Sequence, residues 1–327
     1  MAELSRNSIG VGLIGVGRHG RRYLDHLISD VSGARVAAIC RKRIDEPTDR
    51  QLSGIPVYGN YRDLIADPSV QAVVAVTSPS LCHDICLASV KAGKPILIEK
   101  PLAMTGSEGR AMVAAADKAE ILLMTAQTMR FDSTILRVKQ QLPTIGHLQR
   151  GVLTSHIELR SGLPSATGNG LGAVLEIGVH LLDLVRFLTD DEVTEVSCDI
   201  EGSSIGAETN ARASVRTAGG LRCSLDIARS LSTRIGTMEW IGTEGTITAD
   251  WIQRKVICDI GGNGPTVETV EPYPTIVRVL RAFLVAINTH TDPPVTGEDG
   301  CRAVELVDAC YASAKRGGAT VSVAGQN

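Results

Sequence analysis

The first 126 residues alternate between short apolar runs and stretches in which apolar positions recur at helical spacing. The apolar runs, rich in Val, Ile, Leu and Ala, end at Gly15 or cover 35–40, 57, 72–77, 95–98 and 121–125. Helical spacing follows the first run and recurs over 81–92 and 106–119. Nearly continuous apolar strands that alternate with helices predict a parallel sheet covered on both faces.

After residue 125 the pattern becomes a strict alternation of apolar and polar positions. The segment 221–227 alternates in this way, and 196–200 repeats the pattern. Half-buried strands of this kind predict an antiparallel sheet with one face on the core. Helices are predicted over 133–141, 275–288 and 300–315. The change places a domain boundary near 125–130, which gives a first domain over 1–126 and a second over 127–327.

A glycine-rich turn follows the first strand and precedes a helix. Its sequence is Gly15-Val16-Gly17-Arg18-His19-Gly20. Gly15 permits a tight turn, Gly17 lets the backbone approach a pyrophosphate, and Gly20 lets the helix pack against the strand. The N-terminus of the helix presents N–H groups and a partial positive charge to phosphate. This context predicts a dinucleotide-binding unit; a glycine-rich turn without a ligand is the alternative.

The carboxyl ends of the predicted parallel strands define the rim of this site. Ligands of open parallel sheets bind where the strands end, near the point at which the strand order reverses. Together with the glycine turn, this rule selects residues after the second, fourth and fifth strands. The cofactor-binding residues predicted in this way are Gly15, Gly17, Arg18, His19, Gly20, Arg41, Lys42, Thr77, Ser78, Pro79, Glu99 and Lys100.

The end of the second strand bears on the choice between NAD and NADP. An Asp or Glu there, about 20 residues after the glycine motif, binds the ribose 2′-hydroxyl of NAD. Here the sequence is Cys40-Arg41-Lys42-Arg43, and the nearest acid, Asp45, lies beyond the basic run. A guanidinium can meet a 2′-phosphate with a planar set of donors and can stack on adenine. We therefore expect NADP to be preferred over NAD, with Arg41 as the main determinant and Lys42 or Arg43 assisting. The alternative is a solvated basic loop.

A nearly all-apolar helix, predicted over 172–188, carries Glu176, His180 and Asp183 at positions i, i+4 and i+7. This spacing places them on one narrow face, and polar groups in an apolar helix need partners or a ligand. Gly178 in the same helix indicates that another group approaches closely. Imidazole, with an unperturbed pKa of about 6.5, suits the removal of a hydroxyl proton at neutral pH. His180 is the candidate base; a buried histidine with internal partners is the alternative.

Lys100 is the second candidate for chemistry. It follows a predicted strand and stands between Glu99 and Pro101, which fixes its position. An ammonium group at this edge of the sheet could bind a substrate oxygen and stabilise developing negative charge. The alternative is a surface lysine after a strand.

Composition and charge narrow the range of partners. The formal net charge is −3 at pH 7 and the basic clusters are short, which argues against nucleic acid as a partner. The eight cysteines form no CxxC pair, so we expect reduced, mostly buried thiols and neither disulfides nor a metal site. The N-terminal residues lack the apolar region of a signal peptide, and no apolar segment approaches membrane-spanning length. The sequence predicts a soluble, cytoplasmic protein.

Six motifs occur in a recognisable order along nearly the whole chain. They are GVGRHG, TSPSLCH, IEKPLA, MRF at 129–131, GAVLEIGVHLLD, and GTEG at 242–245. Together they resemble the Gfo/Idh/MocA oxidoreductase family, which includes glucose-fructose oxidoreductase and the inositol dehydrogenases. The resemblance implies a Rossmann domain followed by an α+β domain with a large, open, mainly antiparallel sheet, often used to form dimers or tetramers. It also implies that Lys100 and His180 are catalytic, and it adds His83 to the predicted cofactor site.

Two features depart from the family pattern. Glu176 stands where the family's helix often has Asp, and we predict that it orients either the histidine or the substrate. The loop at 158–170 contains Arg160 but lacks the Trp-Arg pair that several sugar-processing members carry before the helix. Arg160 and Asp183 are the candidate substrate contacts.

The predicted function is that of an NAD(P)-dependent dehydrogenase or reductase. Its substrate would carry a secondary hydroxyl or ketone on a sugar, a polyol or a sugar derivative, and the enzyme would be a homodimer or homotetramer. Two alternatives remain open on the sequence alone. One is redox-assisted cleavage of a glycoside, in which transient oxidation acidifies a neighbouring C–H bond; the other is a cofactor-binding regulatory protein without catalysis.

Overall fold

A computed structural model describes residues 8–43, 53–158, 171–201, 208–230, 234–262 and 264–323. The chain divides into two compact units. The first comprises Met1–Thr128 and Pro274–Cys301, and the second comprises Met129–Tyr273 and Arg302–Asn327. The sequence pattern predicts a second domain over 127–327, whereas the structure groups 274–301 with the first unit.

The first unit contains a six-stranded parallel sheet within the described residues. Its elements are β1 (Ile9–Ile14), α1 (Arg18–Ser29), β2 (Ala34–Cys40), β3 (Val57–Tyr58), α2 (Tyr61–Ala66), β4 (Ala72–Ala75), α3 (Pro79–Lys91), β5 (Ile96–Glu99), α4 (Gly106–Lys118) and β6 (Leu123–Ala126). The strand order is β3-β2-β1-β4-β5-β6. Every residue of β1, β4, β5 and β6 is buried, which is why these strands are nearly all apolar. The predicted Rossmann fold is confirmed.

The second unit is built on a nine-stranded sheet, counted over the described residues. The remaining α-helices and strands of the described residues are α5 (Ser133–Gln141), β7 (Leu148–Glu158), α6 (Val179–Thr189), β8 (Val193–Glu201), β9 (Asn210–Thr217), β10 (Arg222–Ser230), β11 (Ile235–Gly242), β12 (Gly245–Asp250), β13 (Lys255–Ile260), β14 (Thr266–Thr269), α7 (Thr275–Thr289), α8 (Gly297–Ala314) and β15 (Val321–Ser322). The strand order is β14-β13-β12-β11-β7-β10-β9-β8-β15. The neighbours β7 and β10 run parallel, and the other neighbouring pairs run antiparallel. The prediction of a mainly antiparallel sheet is confirmed.

Strand β9 has one face buried in the core of the unit and one face exposed to solvent. Ala211, Ala213 and Val215 are buried, whereas Arg212 and Arg216 on the opposite face are exposed. This period of two follows from the alternate direction of side chains along a strand.

Helix α7 belongs to the first unit because its apolar stripe is buried there and α1 lies against it. Val279, Leu280 and Phe283 are almost completely buried, and α7 contacts α1. Nη2 of Arg281 also donates to the carbonyl oxygen of Asp30 at 2.9 Å. The helical pattern of 275–288 predicted the helix but could not show which sheet it covers.

Helix starts depend on local capping. Helix α8 begins at Gly297, three residues before the predicted start, because Thr296 and Asp299 cap it reciprocally. The backbone N–H of Asp299 donates to Oγ1 of Thr296 at 3.1 Å, and that of Thr296 donates to Oδ2 of Asp299 at 2.9 Å. None of the helices in the described part of the chain combines the length and the apolar character that crossing a membrane requires.

Candidate active site

The glycine turn between β1 and α1 is formed as the sequence predicts. Gly15 has φ = +90°, a conformation that favours glycine, and a Cβ there would lie 2.1 Å from the carbonyl oxygen of Val76. A Cβ on Gly20 would lie 1.9 Å from the carbonyl oxygen of Gly15. A Cβ on Gly17 would meet no described atom within 4 Å, so this backbone faces open space. Helix α1 starts at Arg18 without a side-chain cap, and its first N–H groups therefore fit a pyrophosphate.

Glu99, at the end of β5, is tied to helix α1. Its side chain is 6% exposed, and Oε1 accepts a hydrogen bond of 2.8 Å from the Tyr23 hydroxyl. The same oxygen lies 2.7 Å from Nε2 of His19, which is the donor because a carboxylate only accepts. Burial, followed by the charge of Glu99, raises the pKa of Tyr23 well above its usual value. The position of Glu99 at a strand end predicts a cofactor contact, and the structure adds these two protein partners.

The other predicted rim residues lie at the ends of neighbouring strands. Arg41 directly follows β2, and its backbone N–H donates to the carbonyl oxygen of Tyr58 in β3 at 3.0 Å. Thr77 and Ser78 connect β4 to α3, which begins at Pro79. Lys42 is exposed, and His83 lies in α3 with Nδ1 3.2 Å from a carboxylate oxygen of Asp84. Since β2, β1, β4 and β5 are consecutive in the sheet, their ends share one edge.

Lys100 leaves this edge directly after β5 and is partly exposed. The peptide bond to Pro101 is cis, and Leu102 beyond it is fully buried. On the adjacent strand, Ala126 pairs with Glu99, so Gln127 follows β6 at the same level as Lys100. Gln127 is 1% exposed, and neither its side-chain oxygen nor its nitrogen has a hydrogen-bond partner among the described residues. Gln127 was not among the predicted site residues, although the rule of carboxyl ends also applies to the sixth strand, which it follows.

The helix that carries Glu176 and His180 starts with a π-helical turn, Val174–Gly178, and continues as α6. Such turns are rare and are frequent at functional sites. His180 and Glu176 are partly exposed, while most of their neighbours in the helix are buried. A Cβ on Gly178 would lie 2.9 Å from Cδ1 of Ile227 in β10. The close approach that the sequence predicted at Gly178 therefore comes from the core of the same unit.

A buried carboxylate holds the start of this helix. Oε1 of Glu208 accepts hydrogen bonds from the N–H of Val174 at 2.9 Å and from the Tyr311 hydroxyl at 3.0 Å. Gly172 is required here because a Cβ would lie 2.0 Å from the same oxygen. Glu208 gave no signal in the sequence, because it lies 34 residues from Val174 along the chain.

Glu176 forms an ion pair with Arg229 of β10. The Arg229 side chain is 5% exposed, and its Nη2 donates both to Glu176 and, at 2.6 Å, to the carbonyl oxygen of Leu171. Arg229 carried no sequence signal, because it lies at the penultimate position of β10 on the face whose other side chains predict core. Because the guanidinium holds the carboxylate in place, this contact suits a carboxylate that orients another group.

Asp183 forms a bidentate ion pair with Arg130, which lies in the 3-10 helix Thr128–Phe131. Nε and Nη2 of Arg130 donate to the two carboxylate oxygens at 2.8 and 2.7 Å. The side chains are 8% and 1% exposed. The spacing of Glu176, His180 and Asp183 in the sequence predicts that they share one polar face. The structure gives Asp183 a buried protein partner, whereas Glu176 and His180 are partly exposed.

Arg160, the other candidate substrate contact, lies outside the described residues. Lys100 belongs to the first unit, and Glu176 and His180 belong to the second. No group of three or more His, Cys, Asp or Glu side chains that could hold a metal ion occurs in the described ranges.

Comparison with known proteins identifies matches in both halves of the chain. Residues 9–127 match the family model described as oxidoreductase family, NAD-binding Rossmann fold. Residues 160–248 match the model described as GFO/IDH/MocA C-terminal domain.

Two similar curated proteins cover most of the chain. D-apiose dehydrogenase of Paraburkholderia graminis is 28% identical, over 93% of this chain and 87% of the relative. Myo-inositol 2-dehydrogenase of Thermotoga maritima is 26% identical, over 90% and 93%. A solved oxidoreductase from Agrobacterium radiobacter, in complex with NAD+, L-tartaric acid and magnesium, has a TM-score of 0.85 at 23% identity, over 97% of this chain and 98% of that one. The structural likeness confirms the fold.

Proposed function

This chain belongs to the Gfo/Idh/MocA oxidoreductase family, and we propose that it is an NAD(P)-dependent dehydrogenase or reductase. Its substrate class is a sugar, a polyol or a sugar derivative with a secondary hydroxyl or ketone. The names of the similar curated enzymes support this class. The observation that carries the proposal is the glycine turn with an uncapped α1, at the sheet edge where Lys100 follows β5.

The first unit would bind the cofactor. Gly17 and the first N–H groups of α1 would hold the pyrophosphate, and the residues after β2, β4 and β5 would hold the remainder. When bound, NAD(P) supplies the nicotinamide that accepts or donates hydride. Arg41 supports a preference for NADP, because it directly follows β2, where an NAD-specific fold has a carboxylate.

Lys100 and His180 would act on the substrate oxygen. In the oxidative direction, His180 takes the hydroxyl proton, and the Lys100 ammonium donates to the oxygen as negative charge develops. Glu176, paired with Arg229, would orient the substrate or the histidine. Asp183 would hold α6 to the 3-10 helix Thr128–Phe131 through its ion pair with Arg130, and it would not contact the substrate. Arg160 stays a candidate for the substrate contact.

The second unit would also form the oligomer. The nine-stranded sheet has an open face on which β9 exposes Arg212 and Arg216. Family members often use this sheet to form dimers or tetramers, and we extend that role to this chain.

Kinetics of substituted enzymes test the assigned roles. A panel of sugars and polyols with either cofactor first identifies a substrate. Lys100→Ala and His180→Ala should each lower kcat by about 10²–10⁴-fold, while the Kd of the cofactor changes little. Glu176→Gln should be milder than His180→Ala. Lys91→Ala and His147→Ala are matched controls, because both residues are exposed and lie away from the predicted site.

Near-wild-type kcat in a folded Lys100→Ala or His180→Ala protein would refute the corresponding role. If product forms while the amounts of oxidised and reduced cofactor stay constant, the reaction is redox-assisted glycoside cleavage instead. Cofactor binding without turnover of any panel member would favour a regulatory protein.

A further inference from the structure

Gln127 is buried at the cofactor edge of the Rossmann sheet, and its side-chain amide makes no hydrogen bond to the described residues. Its side chain is 1% exposed, and both Oε1 and Nε2 lack a hydrogen-bond partner among the described residues. Buried amides are nearly always hydrogen-bonded, because leaving them unpaired costs free energy. A buried amide with a free donor and a free acceptor therefore indicates a missing polar partner.

The position of Gln127 identifies which end of a dinucleotide lies near it. Arg41, the predicted contact of the adenosine ribose, follows β2 on one side of the glycine turn. Gln127 follows β6 on the other side, three strands from β1. A dinucleotide that extends from β2 across the turn brings its nicotinamide half toward β5 and β6. The pairing of Glu99 with Ala126 places Gln127 level with Lys100, the residue proposed to meet the substrate oxygen.

The chemistry of the two groups is complementary. The nicotinamide ring carries a carboxamide, which offers one carbonyl acceptor and an NH2 donor. The side chain of Gln127 offers the same pair, so two amides can satisfy each other with antiparallel hydrogen bonds. The backbone N–H of Gln127 already donates to the carbonyl oxygen of Thr125 at 3.0 Å, which fixes the turn from which the side chain starts.

We propose that Gln127 binds the carboxamide of the nicotinamide and so fixes the rotation of the ring. This assignment rests on the proposed function, because it presupposes that the Rossmann unit binds NAD(P). It adds a binding residue directly after β6, a strand end that contributes none of the other assigned contacts.

Binding measurements with the purified full-length protein test this assignment without catalysis. The probes are NAD+ and NADP+, together with ADP-ribose and its 2′-phosphate, which lack nicotinamide. Gln127→Met should weaken the binding of the better dinucleotide by about ten-fold, the value expected for hydrogen bonds that a buried amide makes. The same substitution should leave the affinity of the matching ADP-ribose fragment unchanged. Nicotinic acid adenine dinucleotide, whose carboxylate replaces the carboxamide, should bind more weakly than NAD+ to wild type, and Gln127→Met should reduce this difference.

Stability distinguishes a binding role from a structural one. Gln127→Met removes an unpaired amide, so the unfolding midpoint without cofactor should be equal to or higher than that of wild type. The matched control is Gln71→Met at the opposite edge of the sheet, where Oε1 accepts from the N–H of Gly10 at 2.7 Å. That variant should lower the midpoint and leave dinucleotide affinity unchanged.

Other results of these measurements would assign a different role to Gln127. Unchanged dinucleotide affinity in Gln127→Met overturns the assignment, and a raised KM for the sugar alone would move Gln127 to the substrate. A lowered midpoint together with equal losses for dinucleotide and fragment would make Gln127 structural. Failure of wild type to bind any of the four probes would instead refute the proposed function.

Discussion

The hydroxyl of Tyr23 donates a hydrogen bond of 2.8 Å to Oε1 of Glu99 and thereby joins the helix after the glycine turn to the end of β5. The same oxygen serves His19, whose ring meets that of Tyr23 edge-on with centroids 5.6 Å apart. Helix α1 carries the proposed pyrophosphate contacts, and Lys100 directly follows Glu99. One buried carboxylate therefore links the two parts of the proposed cofactor site.

Tyr23→Phe should lower the free energy of unfolding by about 1.5–3 kcal/mol, the range for a hydrogen bond to a charged group. The hydroxyl remains a donor at all ordinary pH values because burial and Glu99 raise the pKa of Tyr23. Chemical denaturation at pH 7 provides the measurement. The control is Tyr61→Phe, since Tyr61 is only partly buried in α2. Equal stability of the two variants would show that the contact with Glu99 contributes nothing.

The ion pair between Arg130 and Asp183 should contribute to stability far more than an exposed pair. Both side chains are buried, so Asp183→Asn removes a buried bidentate ion pair and should cost about 3–5 kcal/mol. The control is Glu201→Gln, whose partner Arg212 is 74% exposed, and its cost should be about 0–1 kcal/mol. Thermal unfolding compares the two variants. Full stability of Asp183→Asn with a raised KM would return Asp183 to the substrate site.

The cysteines should be unreactive in the native protein. All eight are free thiols, and seven are buried. Burial raises the pKa of Cys82, Cys86 and Cys223 to about 12 each, so the nucleophilic thiolate is scarce at neutral pH. Cys258, which is partly exposed, should react first with a thiol reagent, and Cys258→Ser should remove this fast phase. Rapid titration of several thiols without denaturant would contradict this prediction.

The same thiols should make stability fall at high pH. In the unfolded chain, Cys82, Cys86 and Cys223 have the usual thiol pKa of 9.0, whereas in the folded protein the pKa of each is about 12. The folded state therefore keeps protons that the unfolded state loses, and stability falls as pH rises from 9 toward 12. Chemical denaturation should therefore give a smaller free energy of unfolding at pH 10 than at pH 8.

The sequence predicted those features that depend on neighbours along the chain. The glycine turn, the buried parallel strands and the helix of His180 are all encoded in local patterns. The partners of Glu99 and Glu176 were not predictable, because Tyr23 and Arg229 lie 76 and 53 residues away. The polar positions were visible, but whether each one meets protein or ligand depends on strand order. For the same reason, the grouping of α7 with the first unit was not evident.

The open face of the nine-stranded sheet should be an oligomer interface. Val152 of β7 lies on the open face at the middle of the sheet, opposite the buried Leu153, and it pairs with Ser224 and Glu239. We expect a dimer or tetramer mass from light scattering, and Val152→Asp should shift it toward the monomer, because a buried unpaired charge is costly. The control is Val285→Asp on α7, at a valine that is already 58% exposed. A monomer mass for wild type would refute the assigned interface.

The end of β2 should determine the choice of cofactor. Arg41 directly follows this strand and is partly buried, and Lys42 and Arg43 beside it are exposed. A guanidinium there attracts the 2′-phosphate, so wild type should have a higher kcat/KM with NADP than with NAD. Arg41→Ala should lower kcat/KM for NADP by about 10–100-fold, which corresponds to about 1.5–3 kcal/mol for a charged hydrogen bond, and should affect NAD much less. The matched control is Arg35→Ala near the amino end of the same strand, where Nη2 donates to the carbonyl oxygen of Ser69 at 3.2 Å. Arg35→Ala should leave the ratio of kcat/KM with NADP to kcat/KM with NAD unchanged. A wild type that favours NAD, or a ratio unchanged by Arg41→Ala, would show that Arg41 does not select the cofactor.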